Sequence, residues 1–193
     1  MTLVDIWRPS VTKTYTNLLY NTALVITSSL LVALSAQIAI PLPFTPVPVT
    51  AQTLAVLLIG AVLGSARGAL AILTYLAEGA VGLPVFAGGK AGLAALAGPT
   101  GGYLIGFVIA AFVTGFLAER RWDRNIVTSF LAMSIGNVII FVFGLLILAG
   151  YVGFDKVLAL GFYPFWVGDI VKLALATFLL PLGWKALQLS GKI

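Results

Sequence analysis

Residues 126–149, IVTSFLAMSIGNVIIFVFGLLILA, run for 24 positions without a charged side chain. A helix needs about 20 mainly apolar residues to cross a bilayer, so this stretch is predicted to span one. Asn137, polar at membrane depth, is expected to hydrogen-bond to a neighbouring helix. The same ruler reads further spans over 22–40, 49–64, 66–81, 101–118 and 163–184. The second and third of the six are short. Gly64-Ser65-Ala66-Arg67-Gly68 between them reads as a tight turn, so the two form a hairpin that need not cross the full thickness.

Composition agrees. Hydrophobic residues make up 61% of the 193-residue chain and charged residues 9%, against roughly 45–50% and about 25% in ordinary globular domains. So much apolar surface needs lipid as its solvent. The expected fold is an all-α integral membrane protein, a single domain over 1–193 with residues 1–21 as a cytoplasmic or interfacial lead. Because the first apolar run begins only after about twenty mostly polar residues, that helix is expected to be retained rather than cleaved after Ala33-Leu34-Ser35. The 21 glycines suit close helix packing.

Charge sets the orientation. A net charge of +5 is of the sign that nucleic-acid binding needs, but the basic residues form no patch; they punctuate the ends of apolar runs. With the N-terminus inside, Arg8, Lys13, Arg67, Arg120, Arg121, Arg124, Lys185 and Lys192 fall on the cytoplasmic side, and Lys90 and Lys156 on the other. That asymmetry predicts six spans in the cell membrane with both termini cytoplasmic.

Two connections then face outward. The segment 41–49 holds four prolines and cannot be helical, since each removes a donor and forces the preceding residue towards an extended form. The segment 82–100 is rich in Gly, Pro and Ala. It is too apolar for a water-facing loop and too broken for a helix. Non-helical backbone of that kind is tolerated near a membrane where protein covers it or it lines a cavity.

Asp169 and Lys172 carry the chemistry. They lie inside the last predicted span, where an ionisable group costs roughly 2.5–3.5 kcal/mol on insertion scales. Three residues apart, they share a helix face and can partly neutralise each other. A self-satisfied pair is the plain reading. Leucine would build the same helix without the penalty, however, and charges inside spans mark ligand or ion routes. Their depth is beneath the two outward segments, which together would close a pocket open to the exterior. Glu78 is a weaker candidate, interfacial or balancing Lys90. Gln37 and Gln52 are expected to make interhelical hydrogen bonds, and Tyr103, Tyr163 and Trp166 to form an outer aromatic belt.

Other chemistries drop out. The chain has no Cys and no His, so catalytic triads, thiolate nucleophiles and the usual zinc sets are excluded, and no enzyme or cofactor is expected. Gly88-Gly89-Lys90 is not a phosphate loop, because Pro84 stands where the first glycine belongs and Ala91 follows the lysine. A pore would need rings of polar residues that are absent. Small-xxx-small spacings recur at Gly60/Gly64, Gly102/Gly106, Ala111/Gly115 and, in the first span, Ser29/Ala33. Most should serve packing within the chain.

Four ordered motifs resemble the BioY family. They are Ile40-Pro41-Leu42-Pro43-Phe44-Thr45-Pro46-Val47-Pro48-Val49-Thr50-Ala51-Gln52, Gly82-Leu83-Pro84-Val85-Phe86-Ala87-Gly88-Gly89, Gly98-Pro99-Thr100-Gly101-Gly102-Tyr103 and Gly168-Asp169-Ile170-Val171-Lys172. Members of that family are biotin-specific S-components of energy-coupling factor transporters. The resemblance implies six helices, biotin capture from outside, a transmembrane T-component and cytoplasmic ATPases as partners, and Ser29 and Ala33 as T-component contacts. Some relatives work without dedicated partners, as possible homo-oligomers. It implies Asp169 and Lys172 as ligand contacts. Phe44, Gln52, Phe86, Gly89, Lys90, Tyr103 and Trp166 complete the expected substrate site. The competing expectation is a self-sufficient, ion-coupled secondary transporter in which Asp169 cycles a proton.

Overall fold

The computed structural model describes residues 2–7 and 14–191; Arg8, Lys13 and Lys192, which contribute to the charge asymmetry, lie outside the described residues. The chain is mostly helical: α1 (Thr14–Gln37), α2 (Gln52–Leu63), α3 (Ser65–Ala80), α4 (Leu93–Leu96), α5 (Gly101–Glu119), α6 (Ile126–Val152), α7 (Val157–Gly161) and α8 (Trp166–Leu189). Helices α1, α5, α6 and α8 are long and apolar enough to cross a membrane. With 12 and 16 residues, α2 and α3 reach only about 18 and 24 Å at ~1.5 Å per residue, short of the ~30 Å hydrocarbon core.

Three local readings are corrected. The predicted five-residue turn at 64–68 shrinks to Gly64 alone, at φ 89°, and α3 starts at once. It can do so because Glu119 of α5 accepts from both Ser65 N (2.7 Å) and Ser65 Oγ (2.9 Å), satisfying donors that open a helix. The second span begins at Gln52 rather than 49. Val49–Thr50 is instead a short strand (β2) paired antiparallel with Ala39–Ile40 (β1), because Pro46 and Pro48 keep the chain extended up to it. The segment 82–100 is not wholly irregular: it holds a 3-10 turn at Ala87–Gly89 and α4.

Helix α5 is central and α8 peripheral. Of the most apolar stretch of each, 61% of α5 is buried against 22% of α8. Glycine places α5 tightly against its neighbours: a Cβ on Gly60 of α2 would sit 2.3 Å from Thr114 Oγ1, and one on Gly115 would sit 2.4 Å from the Gly64 carbonyl carbon. The spacings Gly60/Gly64, Gly102/Gly106 and Ala111/Gly115 thus serve internal packing. The outer faces of α1 and α8 leave Leu30, Leu34, Val171 and Phe178 about half exposed, a surface suited to lipid and not to water.

Ser29 and Ala33 do not lie on that outer face. Both are buried, on the stripe Val25, Ser28, Ser29, Val32, Ala33 and Ala36 that turns inward. Ser29 Oγ contacts Glu78 Oε1 of α3 at 2.8 Å. Their small size lets α1 approach α3, which corrects their expected exposure to a partner. Glu78 makes this contact and no ion pair with Lys90, and its Oε2 is buried without a protein partner among the described residues.

The two ends of the bundle differ. At one, Arg67 pairs with Asp5 (2.6 Å), and the turn Trp122–Arg124 docks on α8 through Asp123 Oδ2, which accepts from Trp184 Nε1 at 2.6 Å. Burial raises the Asp5 carboxyl, but the Thr2 amide and the Arg67 guanidinium prevail and hold it below the usual carboxylate range. Asp123 goes the other way: burial pushes it up, and its bond to Trp184 only partly opposes this. At the other end the 41–48 segment, the 82–100 segment and α7 converge. Thr45 Oγ1 donates to Leu160 O (2.7 Å), and Gln37 Nε2 donates to Val85 O (3.3 Å).

Candidate functional site

A cavity of about 700 Å³, its open mouth included, lies at this second end. Its walls come from segments far apart in sequence: Val47, Pro48 and Thr50, then Gln52 and Thr53 of α2, Ala87 and Lys90, Tyr103, Leu104 and Phe107 of α5, Ile140 and Phe141 of α6, and Phe165, Asp169 and Lys172.

Asp169 stands in the first turn of α8, where the positive end of the helix dipole favours a carboxylate. It is 4% exposed, and its Oδ1 accepts from Lys172 Nζ at 2.9 Å. The pair is therefore neither lipid-facing nor sealed off. It forms one polar wall of a chamber otherwise lined by rings and aliphatic chains.

Gln52 faces the pair from α2. Its Nε2 donates to Tyr75 Oη at 2.8 Å within the protein, a bond that fixes the amide plane. Beside it, Thr53 Oγ1 is buried and has no protein hydrogen-bond partner among the described residues. An orphaned hydroxyl in a cavity wall is a site where a ligand group gains a bond without displacing another. Tyr103 is buried, which corrects its expected place in an interfacial belt. Its ring covers Gly144, where a Cβ would approach to 2.3 Å, and its hydroxyl donates to Gly161 O at 2.8 Å.

Lys90 stands at the mouth. The Phe86 amide donates to Lys90 O (3.1 Å) and the Gly89 amide to Phe86 O (3.0 Å). Gly88 and Gly89 turn the chain between them at φ 71° and 72°. Phe86 lies beneath, 3% exposed and edge-on to Tyr75, in space that Gly79 leaves free. It props the turn and does not line the chamber.

Of the nine residues expected from sequence, the cavity gathers Asp169, Lys172, Gln52, Lys90 and Tyr103. Phe44 and Trp166 point away, 58% and 52% exposed, and Gly89 contributes its turn rather than a contact. Sequence reasoning missed Thr53, Phe107, Ile140, Phe141 and Phe165. Nothing in a chain this apolar distinguishes an aromatic ring facing a cavity from one facing lipid.

The model of the BioY family matches residues 10–189. The biotin transporter BioY of Rhizobium etli is 42% identical over 161 residues, covering 79% of this chain and 86% of that one. The biotin transporter BioY of Thermotoga maritima is 43% identical over 162 residues, covering 83% and 92%. A crystal structure of the S-component for biotin from an ECF-type ABC transporter superposes with a TM-score of 0.76 at 24% identity, over 90% of this chain and 95% of that one. At that identity the likeness speaks for the fold.

Proposed function

The chain belongs to the BioY family, and from that premise we propose that it captures biotin from the external side and delivers it inward as the substrate-binding subunit of a transporter. The observation that carries this reading is the Asp169–Lys172 pair set in an apolar chamber with a fixed amide opposite. Biotin has a flat ureido group with two N–H donors and one carbonyl, fused to an apolar thiophane that bears an acidic tail. In this reading Asp169 accepts a ureido N–H and Lys172 donates to the ureido carbonyl. Gln52 and Thr53 take the remaining polar edge. Phe107, Phe141 and Phe165 cover the thiophane.

Charge-assisted bonds of this kind are stronger than neutral ones. An analogue that leaves such a buried group unpaired loses the full desolvation penalty. Selectivity thus rests on the ureido group and not on the apolar walls.

The chain holds no nucleotide-binding loop, so in this reading the energy for uptake comes from a transmembrane partner and cytoplasmic ATPases. In this reading the four long helices cross the cell membrane, α2 and α3 form a shorter hairpin between them, and both termini are cytoplasmic, which fits the end-to-end asymmetry of the bundle: Arg67 and the Arg120–Arg124 stretch at one end, the cavity mouth at the other.

Purification followed by mass spectrometry of any retained small molecule, with calorimetric titration of biotin, tests the proposal. Saturable biotin binding that desthiobiotin also shows, and that an analogue without the ureido group does not, is the expected result. Failure to bind biotin at micromolar concentration defeats it. Biotin accumulation in liposomes by the purified chain alone, collapsed by an uncoupler, would replace partner ATPases with an ion gradient.

A further inference from the structure

A second, shallower cavity adjoins the first, between the 41–48 segment and the turn at Ala87–Gly89; it takes in about 470 Å³ with its open mouth included. The two share Pro48, Ala87 and Lys90 as a common wall. Leu42, Thr45 and Pro46 border the outer one alone. Lys90 is exposed and belongs to neither of the ion pairs found among the described residues. Its backbone is held by the Phe86–Lys90 bridge, so the side chain springs from a fixed point and its ammonium sweeps the opening. The inner chamber's own charges cancel as a pair, which leaves Lys90 as the net charge on the partition.

We propose that the outer cavity is an encounter site. The carboxylate of the incoming ligand first meets Lys90 there, and the ring system then passes the shared wall into the inner chamber. This rests on the reading of the inner chamber as a site for a small acid with a polar ring. An ion pair at an exposed lysine contributes little to a settled complex. The same charge at a low-dielectric opening attracts anions over a Debye length of about 8 Å at physiological salt. Lys90 therefore acts mainly on the association rate.

The chain has no cysteine, so Lys90→Cys creates a unique thiol that can be recharged chemically. Stopped-flow binding of biotin should show the Lys90→Cys on-rate reduced several-fold at low salt, with a flattened salt dependence. Aminoethyl methanethiosulfonate should restore the rate and sulfonatoethyl methanethiosulfonate should lower it further. The off-rate should change less than twofold in each case. Leu42→Trp fills the outer cavity without touching the inner one and should slow association and dissociation by the same factor, leaving Kd unchanged. On-rates indifferent to the charge at position 90, or an off-rate that moves more than the on-rate, would overturn the encounter site. Wild-type protein that binds no biotin would instead overturn the function on which it rests.

Discussion

Glycine does opposite work in the α2–α3–α5 seam and in the 82–100 segment. Along the α2–α3–α5 seam it lets backbones touch: Cβ atoms on Gly60 and Gly115 would meet backbone at 2.5 and 2.4 Å. In the 82–100 segment, Gly82, Gly88, Gly89 and Gly92 have nothing within 4 Å. They are there because φ is positive, between 71° and 106°. One use removes space and the other permits shape. The cavity opens where the first use gives way to the second, so the packed seam acts as a frame and the loop end as the working part.

The largest break in this contrast should come from the seam. Gly115→Val drives a side chain into the Gly64–Ser65 backbone, and overpacking of this kind costs about 3 kcal/mol or more. Loss of monodisperse protein in detergent, or a collapse of its melting temperature, is the expected outcome; near-wild-type melting would show the seam to be looser than described. Next comes Asp169→Asn, at the working end. It should weaken biotin binding at least tenfold, about 1.4 kcal/mol, with little change in melting. Calorimetry showing unchanged affinity would remove Asp169 from the site.

Gly88→Ala is the counterpart of the seam variant. It meets no atoms, so its cost is confined to a left-handed backbone, about 1 kcal/mol, and the protein should fold and bind biotin more weakly as the Lys90 turn shifts. A folding loss as large as that of Gly115→Val would erase the distinction between the two classes. The smallest effect is expected at Asp123. Its carboxyl is raised in the folded state, so its contribution is fully present below the ordinary value of 3.8 and is lost as pH climbs through the raised one. Asp123→Asn keeps an acceptor for Trp184 and does not ionise. Its melting temperature should match wild type in acid and exceed it by on the order of 2 °C at higher pH. A difference that does not vary with pH would refute the assignment.

The long helices were legible because twenty-residue apolar runs have few other uses, and the site's charged pair because charge inside a span is costly. Other features left no such mark. Strands of two residues at Ala39–Ile40 and Val49–Thr50 are too short to show a period. The helix start after Gly64 depends on Glu119, 54 residues away along the chain. The inward turn of Ser29 and Ala33 is set by which neighbour α1 meets, and spacing alone does not say. Phe141 and Phe165 lie among rings of the same kind, and only the fold separates wall from lipid face.

The 41–48 segment has one more consequence. Prolines at 41, 43, 46 and 48 never carried an amide proton, so lifting this strip from the body abandons few backbone partners. The prolines stiffen it, and the two-stranded ribbon pins its base. What clasps it is the Thr45 hydroxyl on the Leu160 carbonyl, a bond whose net contribution is about 0.5–1.5 kcal/mol, together with the Val47 side chain, which is buried in the core. The strip is thus held over the chamber by side chains, an aliphatic anchor and one hydroxyl, and not by a backbone ladder.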